Sequence, residues 1–197
     1  MENEYLECSV HDARRFDELV AFFTQLKFDK DHAGIQDPAD YLPFIDNAAW
    51  DFFWWPTAAE YDEWLKAWYA TPTPERWTAK HLKRGWMFEA MIDAFANGEY
   101  ILQSCALIAP GIARLEFYAL AYPYGGIGCM QALIECFGCT VTEISDGGAA
   151  RRADSRLQRL EKRDELSPHV PAAPARRPAP AGAGRAVCAG LGPGLGC

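Results

Sequence analysis

Two absences divide this chain of 197 residues before any motif is considered. No Phe, Trp or Tyr occurs after residue 148, although all 26 of them lie before it. A segment without large apolar side chains cannot bury enough surface to offset the entropy of ordering its backbone. Ala, Pro, Gly and Arg supply 31 of the 49 positions in 149–197, so this part is expected to be a disordered basic tail. A shifted frame in a GC-rich gene would leave the same composition, because codons built only of G and C encode those four residues. No function is therefore rested on it.

The second absence is of positive charge. Residues 31–65 contain no Lys or Arg. Residues 1–148 carry 23 Asp and Glu against 10 Lys and Arg, a net charge of −13, and residues 149–197 carry 4 against 9, a net charge of +5. Binding to phosphate needs Lys and Arg to replace counterions, so nucleic acid and anionic membrane surfaces are excluded as expected partners. An acidic body instead favours solubility and fast encounter with cationic proteins.

A long hydrophobic run is also missing. The longest uncharged stretch, Phe117–Ile134, has 18 residues but contains Pro123, Gly125, Gly126 and Gly128, which rule out a membrane helix. The start, Met-Glu-Asn-Glu-Tyr-Leu-Glu, is acidic where a secretory signal is basic. The expected location is the cytoplasm, with the seven cysteines as reduced thiols.

Motifs that announce chemistry are few. There is no G-x-S-x-G elbow, no H-E-x-x-H, no dinucleotide fingerprint and no Gly-Lys-Ser/Thr phosphate loop. Gly125-Gly-Ile-Gly128 opens a helix and could hold an anion, but with no Lys or Arg beside it in sequence it reads as a tight strand-to-helix turn. Cys136-Phe-Gly-Cys139 has redox or half-zinc spacing. It falls at a helix C-terminus, where the dipole disfavours thiolate, and it lacks a second ligand pair, so core packing is expected and no metal or cofactor. Lys80-His81-Leu-Lys83-Arg84 is the only dense cationic cluster of the acidic body. It would suit an acidic substrate, but reads as a helix face forming internal ion pairs.

Periodicity outlines an α+β fold. Phe16, Leu19, Val20, Phe23 and Leu26 predict a helix over 10–27, capped by Ser9 or Asp12. Pro38 and Pro43 suggest two short helical pieces in 38–55. Thr57-Ala-Ala-Glu60 is a capping box for a helix that Thr71-Pro72 ends. A further helix is expected from Thr73 to about Ala96, closed by Asn97-Gly98 as a left-handed cap. The period then changes to two. Residues 100–108 and 112–122 predict a hairpin around a type II turn at Pro110-Gly111. A helix over 127–137 and a strand over 139–144 follow, with the last two strands expected to be parallel across a right-handed crossover. The expectation is a helical N-terminal half packed on a small β-β-α-β sheet, one domain over 1–148, and a tail over 149–197 in which 151–166 could form a charged helix.

Residues 31–65 are the most informative for function. They hold eight acids, including Asp37, Asp40, Asp46 and Asp62, and nine aromatics, including Trp54 and Trp55. Core packing explains most of the aromatics. Any left exposed among carboxylates would form a recognition patch for a cationic protein. Asp37, Asp40, Asp46, Trp54, Trp55 and Asp62 are thus the candidate partner-binding residues, with Trp54 or Trp55 as the anchor. The expected function is non-catalytic binding of a basic partner, of an inhibitor or immunity type. The alternatives are a small thiol- or carboxylate-dependent enzyme and a carbohydrate-binding module.

Overall fold

The computed structural model describes residues 4–32, 34–76, 78–120 and 127–145, together with the backbone of 151–152. The tail reading falls almost wholly outside these residues, as does most of the glycine turn before Gly128. The fold is α+β. Strands β1 (Glu4–Ser9), β2 (Tyr100–Ala109), β3 (Ile112–Ala119), β4 (Thr140–Ser145) and β5 (Arg151–Arg152) form one sheet in the order β2-β3-β1-β4-β5. Every neighbouring pair is antiparallel. The helices are α1 (Ala13–His32), α2 (Asn47–Phe52), α3 (Ala58–Ala70), α4 (Thr73–Arg76), α5 (Phe88–Asn97) and α6 (Gly128–Cys136), with short 3-10 helices at Pro38–Phe44 and Lys80–Leu82. Leaving aside the helical excursion between α1 and β2, the chain follows a split β-α-β-β-α-β path.

Local chemistry sets most boundaries. The Asp12 carboxylate accepts the backbone N–H groups of Arg14 and Arg15 and starts α1. Thr57 and Glu60 form the expected capping box of α3. Gly111 takes φ 71° in the β2–β3 turn, and Gly138 takes φ 77° just after α6, both left-handed positions suited to glycine. In β3, Ala113, Leu115 and Phe117 are buried while Arg114, Glu116 and Tyr118 are not, as the alternation requires.

Three expectations need correction. First, the expected β-β-α-β sheet left out the N-terminal strand β1, which lies between β3 and β4 and is antiparallel to both, while β3 and β4 run in the same direction as expected. Leu6 and Cys8 give β1 an apolar face, and this face is completed on one side by Ala113 and Leu115 and on the other by Val141 and Ile144. Second, the helix expected over 73–96 is broken between Arg76 and Phe88. The backbone there bonds elsewhere: Trp64 Nε1 donates to the Leu82 carbonyl at 3.0 Å, and the Trp54 N–H to the Trp86 carbonyl at 2.8 Å. Third, Gly98 is extended, not left-handed. Glycine is needed because a Cβ would run into the Tyr100 ring and the Ala94 carbonyl.

The strand Arg151–Arg152 also lies where the composition allowed a charged helix, and beyond the expected boundary at 148. It pairs with Glu143 and Ile144 of β4.

Two apolar clusters result among the described residues. The main core lies between the sheet and the helices, with Leu6, Leu19, Phe22, Phe88, Phe95, Leu115 and Phe137 nearly or wholly buried. Helix α6 is buried at every residue except Glu135, and even Gln131 has no exposed surface. A satellite cluster of Tyr61, Trp64, Trp68, Leu82 and Met87 joins α3 to the segment that follows α4. Trp54 and Trp55 stand at the junction: Trp54 packs on the satellite, Trp55 on the main core.

Candidate functional site

The acid-rich segment is carried by the 3-10 helix at Pro38–Phe44, by α2 and by the start of α3. Its aromatics point inward. Tyr41, Phe53, Tyr61 and Trp64 are buried, and Phe44, Trp50, Phe52, Trp54 and Trp55 are partly buried. Trp55 stacks on Trp50 with ring centroids 3.9 Å apart, lies against Phe88, and donates its Nε1–H to the Trp50 carbonyl at 2.8 Å. Trp54 meets Trp64 edge to face at 5.9 Å and carries the Arg84 guanidinium 5.7 Å above its ring. Among the described residues, the large apolar side chains that are exposed lie elsewhere, at Phe28, Tyr69, Ile101, Leu107, Ile108, Ile112 and Leu120.

The candidate acids divide by role. Asp37, Asp40 and Asp62 are exposed. Asp37 caps the first 3-10 helix by accepting the Ala39 N–H at 2.8 Å. Asp46 is structural: one oxygen caps α2 through the Ala49 N–H at 2.7 Å, and the other accepts Arg15 Nη1 at 2.7 Å. Among the described residues no ion pair reaches Asp37, Asp40, Asp51, Asp62 or Glu63, and no hydrogen bond joins Asp37, Asp40 and Asp62 to one another. Glu60 is held below the usual carboxylate range by the Thr57 N–H and hydroxyl of the capping box.

Arg15 is the main electrostatic link of this region. Besides Asp46, it bonds the Phe137 carbonyl through Nε at 2.9 Å and the Cys136 carbonyl through Nη2 at 2.7 Å. One side chain thus closes the C-terminus of α6 and the N-terminus of α2. Lys30 does the same for α5, donating to the carbonyls of Phe95 at 2.7 Å and Gly98 at 2.8 Å. Burial holds the Lys30 ammonium below its ordinary value.

The cationic cluster at 80–84 does not form the expected internal ion pairs among the described residues. Lys80, His81, Lys83 and Arg84 are exposed. Arg84 donates to the carbonyls of His81 and Lys83 and covers Trp54 instead. The short 3-10 turn offers its carbonyls to Arg84, where a regular helix would have used them internally.

Sequence reasoning missed a polar group on the sheet face opposite the helices. Glu7 of β1 stands opposite Glu143 of β4 and Arg114 of β3. Arg114 pairs with Glu7 and lies 4.1 Å from the Tyr5 ring centroid, while Tyr5 donates to Glu143 at 2.7 Å. Ser104 donates to Glu116 at 2.9 Å. The bond to Glu143 raises the Tyr5 phenol above its ordinary value, and the bond to Glu7 raises Arg114. These carboxylates are satisfied by neighbours within the sheet. The alternation of Tyr5 and Glu7 with Leu6 and Cys8 was the available signal.

Cys8, Cys129, Cys136 and Cys139 are buried free thiols, and Cys105 is half-buried. The Cys136 Sγ–H donates to the Leu133 carbonyl at 3.1 Å, and burial raises its thiol. Cys105 is pushed up to about 12 by burial. Among the described residues no group of three or more His, Cys, Asp or Glu is placed to hold a metal ion, and no helix is long and apolar enough to cross a membrane. Compared with known protein families, curated proteins and solved structures, the chain gives no significant match.

Proposed function

We propose that this protein is a non-catalytic binder of a basic protein, engaged through the carboxylates of the 31–65 segment. The observation that supports this reading is that only Asp31 and Asp46 of the eight acids there are neutralised by an ion pair among the described residues. Arg14, Arg15, Lys27 and Arg114 are each used by a carboxylate of the same chain. Asp37, Asp40, Asp51, Asp62 and Glu63 remain exposed and unpaired among the described residues. Such a field attracts a cationic surface over roughly 8 Å at physiological salt. Trp54 and Trp55 of the same segment are half-buried, so part of each ring is left to offer apolar contact.

The test is capture from native cytoplasm on the immobilised full chain at low salt, followed by binding kinetics with the captured protein. A basic partner is expected, with association slowing about tenfold or more as salt rises and dissociation changing less. The triple change Asp37→Asn, Asp40→Asn, Asp62→Asn should reproduce high salt. Asn keeps the cap at position 37, and Asp46 is left intact because it holds Arg15. An acidic partner, or association indifferent to salt and to the triple change, would overturn the proposal.

A further inference from the structure

One stretch of the acidic body carries no charge and lies open. From Tyr100 to Ala113 no Asp, Glu, Lys or Arg occurs. The stretch forms β2, the turn at Pro110-Gly111 and the start of β3. All seven residues of 106–112, Ala-Leu-Ile-Ala-Pro-Gly-Ile, are exposed. Among the described residues, five of the seven exposed large apolar side chains belong to this hairpin or directly follow it: Ile101, Leu107, Ile108, Ile112 and Leu120. Apolar side chains scattered singly are ordinary on a surface, but a contiguous run of them marks a contact site.

The backbone there is open as well. Strand β2 lies at the edge of the sheet, with β3 on one side and, among the described residues, no strand on the other. Its outer edge is blunted near its start, where the Lys27 ammonium of α1 donates to the Leu102 carbonyl at 2.8 Å. Register shifts at Gln103 and Ile108 interrupt the ladder, and between them 104–107 pair regularly with 113–116. Exposed edges are commonly protected by a lysine, a proline or a bulge, and this regular stretch has none of these. Leu107 stands opposite the wholly buried Ala113, on the core side of the sheet, yet it is 56% exposed. A strand added at the edge would cover it.

We infer that β2 pairs antiparallel with β2 of a second copy, about a two-fold axis through 104–107, so that the two sheets become one. Charge selects this occupant. Two bodies that each carry −13 over residues 1–148 repel one another, and at this hairpin they can meet with no carboxylate in the contact. The edge offers no charge with which to select a foreign strand, whereas self-pairing sets the uncharged residues of one copy against those of the other. A bilayer does not fit, because the N–H and C=O groups of an open edge find no partners in hydrocarbon. The contact is short, in the class below about 1,200 Å² that suits a weak, reversible pair. It uses none of the acids of the 31–65 segment.

The test is sedimentation equilibrium of the full reduced chain from about 1 to 500 μM, at low and at high salt. A monomer–dimer equilibrium is expected, tightening about threefold or more as salt rises, because ions screen the repulsion between the two acidic bodies. Binding of a basic protein would weaken with salt instead. The double change Leu107→Lys, Ile108→Lys puts two charges at exposed edge positions and should leave a folded monomer at every concentration, with circular dichroism unchanged. Tyr69→Lys, equally exposed but on α3, should dimerise as wild type does. Hydrogen exchange of the wild-type chain, which needs no variant to fold, should show the amides of 104–107 slowing from low to high concentration. A monomer up to about 500 μM would overturn the proposal, as would a folded double variant that still dimerises or amides of 104–107 indifferent to concentration. So would a dimer that dissociates as salt rises, which would place the basic tail of one copy on the acidic body of another. Flotation of the monomer with phosphatidylcholine vesicles would give the hairpin to a membrane and overturn it equally.

Discussion

Arg15→Ala removes one side chain from three partners at once. Arg15 is only 16% exposed and its partner Asp46 29%, so the pair lies between a surface salt bridge and a buried one. The first kind contributes at most about 1 kcal/mol, while breaking the second costs roughly 3–5 kcal/mol. Alanine also leaves the carbonyls of Cys136 and Phe137 without their donor at the end of α6, and a hydrogen bond from a charged donor contributes about 1.5–3 kcal/mol. Some water will reach these groups, so the expected loss is about 3 kcal/mol. For a chain of this size that lowers Tm by roughly 6–12 °C. Urea unfolding followed by tryptophan fluorescence measures it. Asp46→Asn keeps the cap on α2 and deletes only the charge, so it should cost about 1 kcal/mol. The double variant should lose less than the two single losses together, because both remove the same ion pair. A loss for Arg15→Ala below about 1 kcal/mol, or strict additivity with Asp46→Asn, would refute the role given to Arg15 as the joint of α1, α2 and α6.

Two further outcomes test other parts of the fold. Gly98→Ala should destabilise by about 2 kcal/mol, since the new Cβ meets the Tyr100 ring and the Ala94 carbonyl and the buried Tyr100 cannot swing away; a urea midpoint equal to wild type would contradict this. Glu89 is raised above the ordinary carboxyl range by burial. Its protonated form is favoured in the folded state, so its contribution is fully present below the unfolded pKa and is lost as pH rises through the folded one. Glu89→Gln should therefore raise Tm at pH 7 relative to wild type, with the advantage fading as pH falls toward 4. Thermal melts across this range would refute the reading if the variant were less stable at neutral pH.

What the sequence alone determined lies within a few residues along the chain. Asp12, the Thr57–Glu60 box, the Pro110-Gly111 turn and Gly138 specify their boundaries because the bonds and torsions involved are local. The period-two pattern of Arg114, Glu116 and Tyr118 likewise identified β3, and the run of acids without a base from 31 to 65 was legible as charge. The tertiary structure decided everything that depends on register between distant segments. The insertion of β1 between β3 and β4 makes neighbours of Glu7, Arg114 and Glu143. Bonds from Trp54 and Trp64 interrupt a helix that local propensity would have continued past Arg76. It also turned the aromatics of 31–65 inward and spent Asp46 on Arg15, leaving Asp37, Asp40 and Asp62 at the surface. Local pattern says which face of an element is apolar. Only packing says which other element covers that face, because the free energy of burial is gained by whichever surfaces meet.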